Sequence, residues 1–181
     1  MRATGIVRRI DDLGRIVIPK EIRRTLCIRE SDPLEIYTDR EGEIILKKYS
    51  PIGEMGTFAK KYTESLFQTT GLVAAVADRN QIVAISGGMK NLQGKSISPE
   101  MEQKLDARET VMATEEDRAF VEVFKDGDGK YHEEIICPII CEGDVIGAVI
   151  LLASEEKAVM TETEKKLVQT AANFLGKQME Q

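Results

Sequence analysis

The sequence predicts an α+β protein with two domains, and its length, its composition and the order of its predicted elements support this. At 181 residues the chain is long for one small domain and sufficient for two. Hydrophobic residues make up 42% and charged residues 31%, the balance expected of a globular protein. Strand-like and helix-like runs follow the order β-β-α-β-β and then α-ββ-α-βββ-α. This order predicts a small β-rich domain followed by an antiparallel sheet flanked by helices.

The first fifty residues are predicted to contain two hairpins with a short helix between them. The expected strands are residues 4–10, 15–18, 33–38 and 43–49. The first turn lies at 11–14 and has Gly14 where a positive φ is needed. Pro19 ends the second strand and suits the first turn of a helix over 20–27. The second turn is expected at 39–42.

This N-terminal unit is expected to be only marginally stable by itself. A domain of about fifty residues buries too little surface to offset chain entropy comfortably, and no disulfide or metal site helps it. In the second predicted strand Ile16, Val17 and Ile18 make both faces apolar, which indicates burial on both sides. We therefore expect two chains to pair through this unit as a homodimer.

Charge is distributed unevenly along the chain. The net charge is -6, but residues 1–50 hold 11 Lys and Arg against 9 Asp and Glu, and the remainder holds 14 against 22. Within residues 1–24 there are seven basic and three acidic side chains. This asymmetry predicts a polyanionic partner for the N-terminal end.

Residues 5–23, with the sequence GIVRRIDDLGRIVIPKEIR, resemble the AbrB family of bacterial transition-state regulators. The resemblance implies that two interleaved chains form a swapped-hairpin β-barrel whose arginines contact DNA. It also implies regulation of a developmental programme such as sporulation. The residues that match the family's DNA-contacting positions are Arg8, Arg15, Arg23 and Arg24. With the neighbouring basic residues, the predicted DNA-binding set is Arg8, Arg9, Arg15, Lys20, Arg23 and Arg24.

The residue types in this set favour duplex DNA. Arginine is always charged, binds phosphate through its fork and can pair with guanine O6 and N7. No aromatic residue lies between the arginines, which argues against stacking on single strands or RNA. Neutralising about eight phosphates would give a slope near -7 in log K against log salt. The alternative is that these side chains only solvate the barrel and pair with Asp11, Asp12, Glu21 and Glu30.

Proline and glycine between two periodic segments predict a short linker at residues 51–54, which separates domains 1–50 and 55–181. In the second domain the expected helices are residues 55–69, 99–108 and 161–179. The expected strands are residues 72–77, 81–86, 119–125, 131–141 and 144–153. Thr161 and Glu164 form a capping box. The predicted inner side of the last helix contains Leu167, Ala171, Phe174, Leu175 and Gln178 or Met179.

The second domain resembles a GAF domain, a fold used for ligand sensing and dimerisation, and residues 138–150 (PIICEGDVIGAVI) resemble its central hairpin. The resemblance implies a regulatory role with a small-molecule or protein effector, which the sequence does not identify. No cyclic-nucleotide signature is present. The first and last helices either form a bundle between chains, which would allow a homotetramer, or cover one sheet within a single chain.

Other motifs give no cofactor, metal or catalytic site. Residues 126–130 (DGDGK) begin like a calcium loop, but the later ligand positions are wrong, and an Asp-Gly hairpin turn is favoured. Cys137 and Cys141 have only His132 as a nearby metal-ligating residue, whereas zinc needs four ligands. These cysteines and Cys27 are expected to be buried structural residues.

We expect a cytoplasmic, nucleoid-associated regulator, because no run approaches the roughly 20 apolar residues of a membrane span and no signal peptide is readable. Three unevenly spaced cysteines indicate reduced thiols. Two other functions stay open. One is a thiol-dependent GAF-type reductase using Cys137 and Cys141, and the other is an antitoxin with a toxin-wrapping tail.

Overall fold

The computed structural model of the chain describes residues 4–26, 28, 30, 32–54, 56–125, 130–154 and 160–180. Its contacts divide the chain into two compact units, Met1–Tyr49 and Ser50–Gln181. None of the described helices is long and apolar enough to cross a membrane. The predictions for Cys27, for the helix start at Met55 and for the turn at residues 126–129 lie outside the described residues.

The first unit contains one short helix and one hairpin among its described residues. Helix α1 (Lys20–Thr25) starts directly after Pro19, as the fixed φ of proline favours. Strands β1 (Leu34–Thr38) and β2 (Ile44–Lys48) pair in antiparallel fashion. The helix and the second hairpin are therefore confirmed, with ends that differ from the prediction by at most two residues.

The first hairpin is different, because its turn is present and its strands are not. Gly14 donates its N–H to the Asp11 carbonyl at 2.9 Å, and Asp11 donates to the Arg15 carbonyl at 3.0 Å. Residues 4–10 and 15–18, predicted as strands, belong to no strand of the described chain. The prediction fails at the level of one chain because a β-strand needs a partner along its length, and no described segment pairs with these residues.

The second unit is built on one antiparallel sheet of five strands in the order β4-β3-β7-β6-β5. The strands are β3 (Val73–Asp78), β4 (Ile82–Ser86), β5 (Val111–Thr114), β6 (Glu133–Cys141) and β7 (Asp144–Ala153). Every residue of β3 is buried, as expected for a strand inside the sheet that is covered on both faces. The long β6–β7 hairpin turns at Glu142 and Gly143, both with positive φ, as a tight two-residue turn requires.

Helices cover both faces of this sheet. They are α2 (Pro51–Glu54), α3 (Gly56–Thr70), α4 (Pro99–Asp106) and α5 (Glu162–Gln178), with a 3₁₀ turn at Lys90–Leu92. Helices α3 and α5 pack on one face, where Phe174 stacks on Phe58 and Tyr62 at ring distances of 5.9 Å. Helix α4 packs on the other face through Met101 and Leu105. Within a single chain the two terminal helices thus cover one sheet, which was one of the two alternatives.

The segment 51–54, predicted as a linker, is the short helix α2. Its Ile52 is 1% exposed and joins the core beneath α3 and α5. The hydroxyl of Ser50 donates to Asp78 at 2.8 Å and accepts from the Gly53 N–H at 2.9 Å. The packing of Ile52 and the bond from Ser50 to Asp78 attach the start of the second unit to its own sheet, and these are long-range contacts that a proline and a glycine in sequence do not reveal.

The predicted strand at residues 119–125 is wrong. This segment forms only an isolated bridge, between Phe124 and Ile97, and the side chains of Glu134 and Tyr131 bond to its backbone. The Tyr131 hydroxyl accepts from the Val123 N–H at 2.8 Å and donates to the Val121 carbonyl at 3.2 Å. Apolar alternation here therefore reflects a buried loop held by Tyr131, not a strand held by a neighbouring strand.

The strand that pairs with the first part of β6 at the edge of the sheet is instead β5, which the sequence did not predict. This strand is only four residues long and pairs with the first part of β6. So short a run carries too little alternation to be recognised by its pattern. The predicted order α-ββ-α-βββ-α is confirmed, although one of its strands lies elsewhere in the chain.

Candidate nucleic-acid interface

The predicted DNA-binding residues before α1 lie around the first turn. Arg8 and Arg9 occupy the irregular segment that precedes the turn, and Arg15 follows it directly. All three side chains are exposed. The glycine-containing turn therefore places Arg15 at the surface next to a fixed backbone reversal.

Helix α1 brings the other three residues together. Lys20, Arg23 and Arg24 are spaced by three and four residues, so they share one helix face. Lys20 and Arg24 are exposed. Arg23 is half-buried, with its side chain 34% exposed, and its Nη1 lies 3.7 Å from Glu30 Oε1. This face of α1 therefore presents two exposed cations, Lys20 and Arg24, and a third, Arg23, that is half-buried and lies near Glu30.

Asp11 organises the turn that carries Arg15. One carboxylate oxygen, Oδ1, accepts from the N–H of Leu13 at 3.0 Å and from that of Arg15 at 2.8 Å. The other, Oδ2, accepts from Arg15 Nε at 2.8 Å. The backbone and side-chain hydrogen bonds from Arg15 hold the pKa of the Asp11 carboxyl below its usual range. The acid therefore stays ionised where it meets Arg15.

The alternative in which acidic neighbours neutralise the basic set holds for two of the six residues. Arg15 pairs with Asp11, and Arg23 pairs with Glu30. Within the part of the chain that the structure describes, the other four form no ion pair; they are Arg8, Arg9, Lys20 and Arg24. Exposed guanidinium and ammonium groups of this kind are available to phosphate oxygens and base edges.

Sequence reasoning treated Asp11 as a turn residue or a neutralising partner and missed that one carboxylate does two things at once. The signal is an aspartate four residues before an arginine, with glycine between them. Aspartate side chains accept from backbone N–H groups two residues on. Only the folded turn shows that the second oxygen reaches Arg15 Nε.

The cysteines of the second unit lack the environment of reactive thiols. Cys137 is buried, its sulfur accepts from the Thr110 hydroxyl at 3.6 Å, and burial raises the pKa of its thiol. Cys141 is half-exposed, and its pKa is raised by desolvation and then by nearby carboxylates, Glu142 first. Nucleophilic cysteines have lowered pKa values, because the thiolate is the reactive form. Among the described residues no group of three or more side chains could hold a metal ion.

A cavity of about 280 Å³ opens beside β5, β6 and the start of α5. Its polar lining includes Glu133, Glu162 and Lys165. These groups already have partners: Glu133 accepts from the Met160 N–H at 2.7 Å, and Lys165 pairs with Glu162 at 3.0 Å. Glu134 also lines the cavity, and its Oε2 is buried without a hydrogen-bond partner. Because the polar lining mixes carboxylates with one ammonium group, it does not define the chemistry of an effector.

The comparison with known families settles which proteins this chain is related to. The model described as the stage V sporulation protein T C-terminal domain, a transcription factor, matches residues 54–180. The whole chain is 50% identical over 182 aligned positions to stage V sporulation protein T of Bacillus subtilis (strain 168), with 100% of both proteins covered. The chain belongs to the stage V sporulation protein T family. As a member of this family it is a DNA-binding transcriptional regulator of sporulation, which confirms the predicted class of function.

The N-terminal unit of this family member is similar to a second group of proteins. Over 51 residues it is 67% identical to the transition state regulatory protein AbrB of Bacillus subtilis (strain 168). The aligned residues make up 28% of this chain and 52% of that protein. A family model described as the MazE antidote-toxin recognition, bacterial antitoxin, matches residues 7–54. The resemblance inferred from residues 5–23 is thereby confirmed.

The second unit has the fold of a GAF domain. It is similar to the GAF domain from the Acinetobacter phosphoenolpyruvate-protein phosphotransferase, with a TM-score of 0.55 and 13% identity. The likeness covers 74% of this chain and 84% of that domain. At this identity it establishes the fold, as the sequence predicted, and carries nothing about ligands.

Proposed function

We propose that this family member regulates transcription as a homodimer in which residues 1–50 of two chains form one swapped-hairpin barrel on duplex DNA. Residues 55–181 act in this proposal as a GAF-like regulatory and dimerisation domain. The proposed DNA contacts are Arg8, Arg9, Arg15, Lys20, Arg23 and Arg24. Such a regulator acts in the cytoplasm, on the nucleoid.

The observation that supports the dimer is the apolar surface of the first unit. Of its described residues only Pro19 is buried. Val7 is 85% exposed, Leu13 74% and Val17 71%. Covering such side chains contributes about 25 cal/mol per Å² of apolar surface. A second copy that adds strands beside residues 4–10 and 15–18 would cover them and satisfy their backbone groups together.

The DNA contacts are supported by exposure and charge. Five of the six basic residues are exposed, and four of them carry no ion pair in the described part of the chain. A two-fold dimer would present the set twice. Because each neutralised phosphate releases counterions, we expect affinity to fall steeply with salt, with a slope near -7 for about eight phosphates.

The experiment is a fluorescence-anisotropy titration of duplex DNA across a salt series, with the unaltered chain, Arg15→Ala and Arg40→Ala. Arg40 is the matched control, because it is an exposed arginine in the other turn of the same unit and is not among the proposed contacts. We expect Arg15→Ala to weaken binding about tenfold or more, the scale of one lost bidentate contact. Equal affinities for the two variants, with intact dimers, would contradict the proposed interface.

The second unit supports self-association beyond the barrel and regulation by an effector. Phe174 and Phe67 are 41% and 38% exposed on the helical face of the unit. Aromatic surface of this kind is suited to pairing between copies, so a homotetramer is part of the proposal. A small molecule or protein that binds this unit would then alter DNA binding through the assembly.

A further inference from the structure

The first unit contains the same turn twice. In residues 11–15 Asp11 Oδ1 accepts the N–H groups two and four residues on, at 3.0 and 2.8 Å. In residues 39–43 Asp39 Oδ1 accepts from Glu41 and Glu43 at 3.0 and 2.9 Å. The fourth residue of both turns is a glycine with positive φ, +76° and +82°. The two aspartates therefore have the same role in the backbone.

The turns differ in the side chain that follows the glycine. It is Arg15 in the first turn and Glu43 in the second. Of the two aspartates, only Asp11 has a cation at this position of its turn. Its second carboxylate oxygen, Oδ2, accepts a hydrogen bond from Arg15 Nε at 2.8 Å. The described residues supply no other ion-pair partner to this guanidinium. Its outer edge, with the two terminal nitrogens, is thus left for a ligand.

The negative charge of Asp11 is expected to weaken DNA binding unless the carboxylate has a compensating role. It lies beside a proposed phosphate-facing surface, where a negative charge repels the duplex. Asp11 is ionised at neutral pH like other aspartates, and the hydrogen bonds from Arg15 lower its pKa further. Holding Nε fixes the plane of the guanidinium and reduces the rotamer freedom that an exposed arginine loses on binding.

We propose that Asp11 is a positioning residue that aims the outer edge of Arg15 at a guanine edge in the major groove, and so determines sequence specificity. The two terminal nitrogens suit guanine O6 and N7, the pair of acceptors that arginine recognises most often. The proposal rests on the proposed function in one respect, namely that Arg15 contacts DNA. A contact of Arg15 to phosphate would help to position the dimer but would not select a sequence, because phosphate contacts carry no sequence information.

Asp11→Asn in the full-length chain tests this, with Asp39→Asn as the matched control. Asparagine keeps an oxygen that accepts backbone N–H groups, so both turns are retained, but it loses the anionic acceptor for Arg15 Nε. The probes are a duplex that the unaltered chain selects from a random-sequence pool and a scrambled duplex of the same length.

We expect Asp11→Asn to bind the selected duplex about tenfold more weakly, the lower end of the discrimination given by one bidentate contact. It should bind the scrambled duplex as tightly as the unaltered chain or more tightly, because a negative charge is gone. Asp39→Asn should leave the ratio of the two affinities unchanged. A general loss of structure would weaken binding to both duplexes and does not produce this pattern.

Arg15→Ala separates failure of this proposal from failure of the proposed function. Arg15→Ala is expected to weaken binding to the selected duplex. The inference is overturned if Asp11→Asn then leaves the ratio of the two affinities unchanged, or raises both affinities equally. In that case Asp11 only forms the turn or neutralises charge. If Arg15→Ala leaves both affinities unchanged, Arg15 does not contact DNA. That result contradicts the proposed interface and, with it, the inference about Asp11. In the double variant, Asp11→Asn should have no further effect on the ratio, because its target side chain is gone.

Discussion

Glu134 is a buried ionisable residue of the second unit whose pKa departs strongly from its ordinary value. It lies on β6, is 1% exposed, and its Oε1 accepts from the Val121 N–H at 2.8 Å. Its Oε2 is buried without a hydrogen-bond partner. Burial raises the pKa of Glu134 to about 8, against the opposing effect of the Val121 bond, and Glu122 adds repulsion. The carboxyl group is therefore mostly protonated at neutral pH.

We expect the unaltered chain to lose stability as pH rises from about 4.5 to about 8, and Glu134→Gln to lack this loss. The folded pKa lies above the unfolded one, so the folded state binds the proton more tightly, and its advantage disappears as that proton leaves. One group contributes at most about 1.4 kcal/mol per pH unit in this window. Denaturant unfolding of the second unit at several pH values measures the slope, and parallel curves for both proteins would contradict the prediction.

At the scale of single residues, the sequence supplied the basic side chains that are proposed to contact DNA, but it did not reveal the roles of Asp11 and Glu134. Arg8 and Arg24 are recognisable because their positions match a family pattern. Asp11 and Glu134 act through bonds to particular atoms, and the bond from Glu134 reaches a loop 13 residues away. A sequence shows the type of each residue and its spacing, but it does not show which oxygen of a carboxylate accepts which hydrogen bond.

At the scale of elements, local signals predicted helices well. The capping box of α5 is present: Thr161 donates its N–H to Glu164 Oε2 at 2.7 Å, and Thr163 donates to the Thr161 hydroxyl at 3.2 Å. These bonds span three residues, so sequence alone can anticipate them. The inner face of α5 was predicted less well, because Phe174 is 41% exposed while Gly176 is buried.

Gly176 marks the closest approach of α5 to the sheet. A Cβ atom added there would lie 2.1 Å from the Ile140 carbonyl oxygen of β6. Backbone on both sides leaves no flexible side chain that can move away. Helix α5 can therefore lie this close to β6 only if the residue at this point has no side chain.

We expect Gly176→Ala to destabilise the second unit by about 2 kcal/mol or more, because overpacking forces the backbone to shift. Gly56→Ala is the matched control, since it is also a helical glycine and its added Cβ meets nothing within 4 Å. Alanine is the better helix former, so the control should be neutral or stabilising by up to about 1 kcal/mol. Thermal unfolding of the full chain compares them. Equal unfolding temperatures would show that α5 moves away without loss.

At the scale of the whole molecule, the two units differ in how they bury apolar surface. The second unit fills both faces of its sheet, with Phe124, Ile150 and Leu105 on one side and Val76, Leu151 and Leu175 on the other. The first unit leaves most of its large aliphatic residues exposed. Among the residues that the structure describes, only those of the second unit therefore form a core within one chain.

Val17→Gln tests whether a second copy covers the first unit. Val17 is 71% exposed in the single chain, so a polar side chain there would be harmless if the surface were free. We expect dissociation of the N-terminal pair, faster proteolysis of residues 1–50 and loss of DNA binding, because the glutamine amide would be buried at the contact. Analytical ultracentrifugation and limited proteolysis give the readout. The control is Glu41→Gln in the second turn, and matching behaviour of the two variants would argue against the swapped barrel.

The sequence by itself determined the fold class, the family of the N-terminal unit and the longer helices, and it supplied the basic residues that are proposed to contact DNA. These follow from patterns within a few residues or from a nearly continuous motif. Only the tertiary structure decided that residues 119–125 are a partly buried loop, that the edge strand paired with β6 is Val111–Thr114, and that residues 51–54 form a helix packed on the sheet. The structure also decided that Asp11 holds Arg15 by its side chain. The physical reason is that hydrogen-bond partners and close backbone contacts are chosen among groups brought together by folding, and their separation along the chain does not specify them.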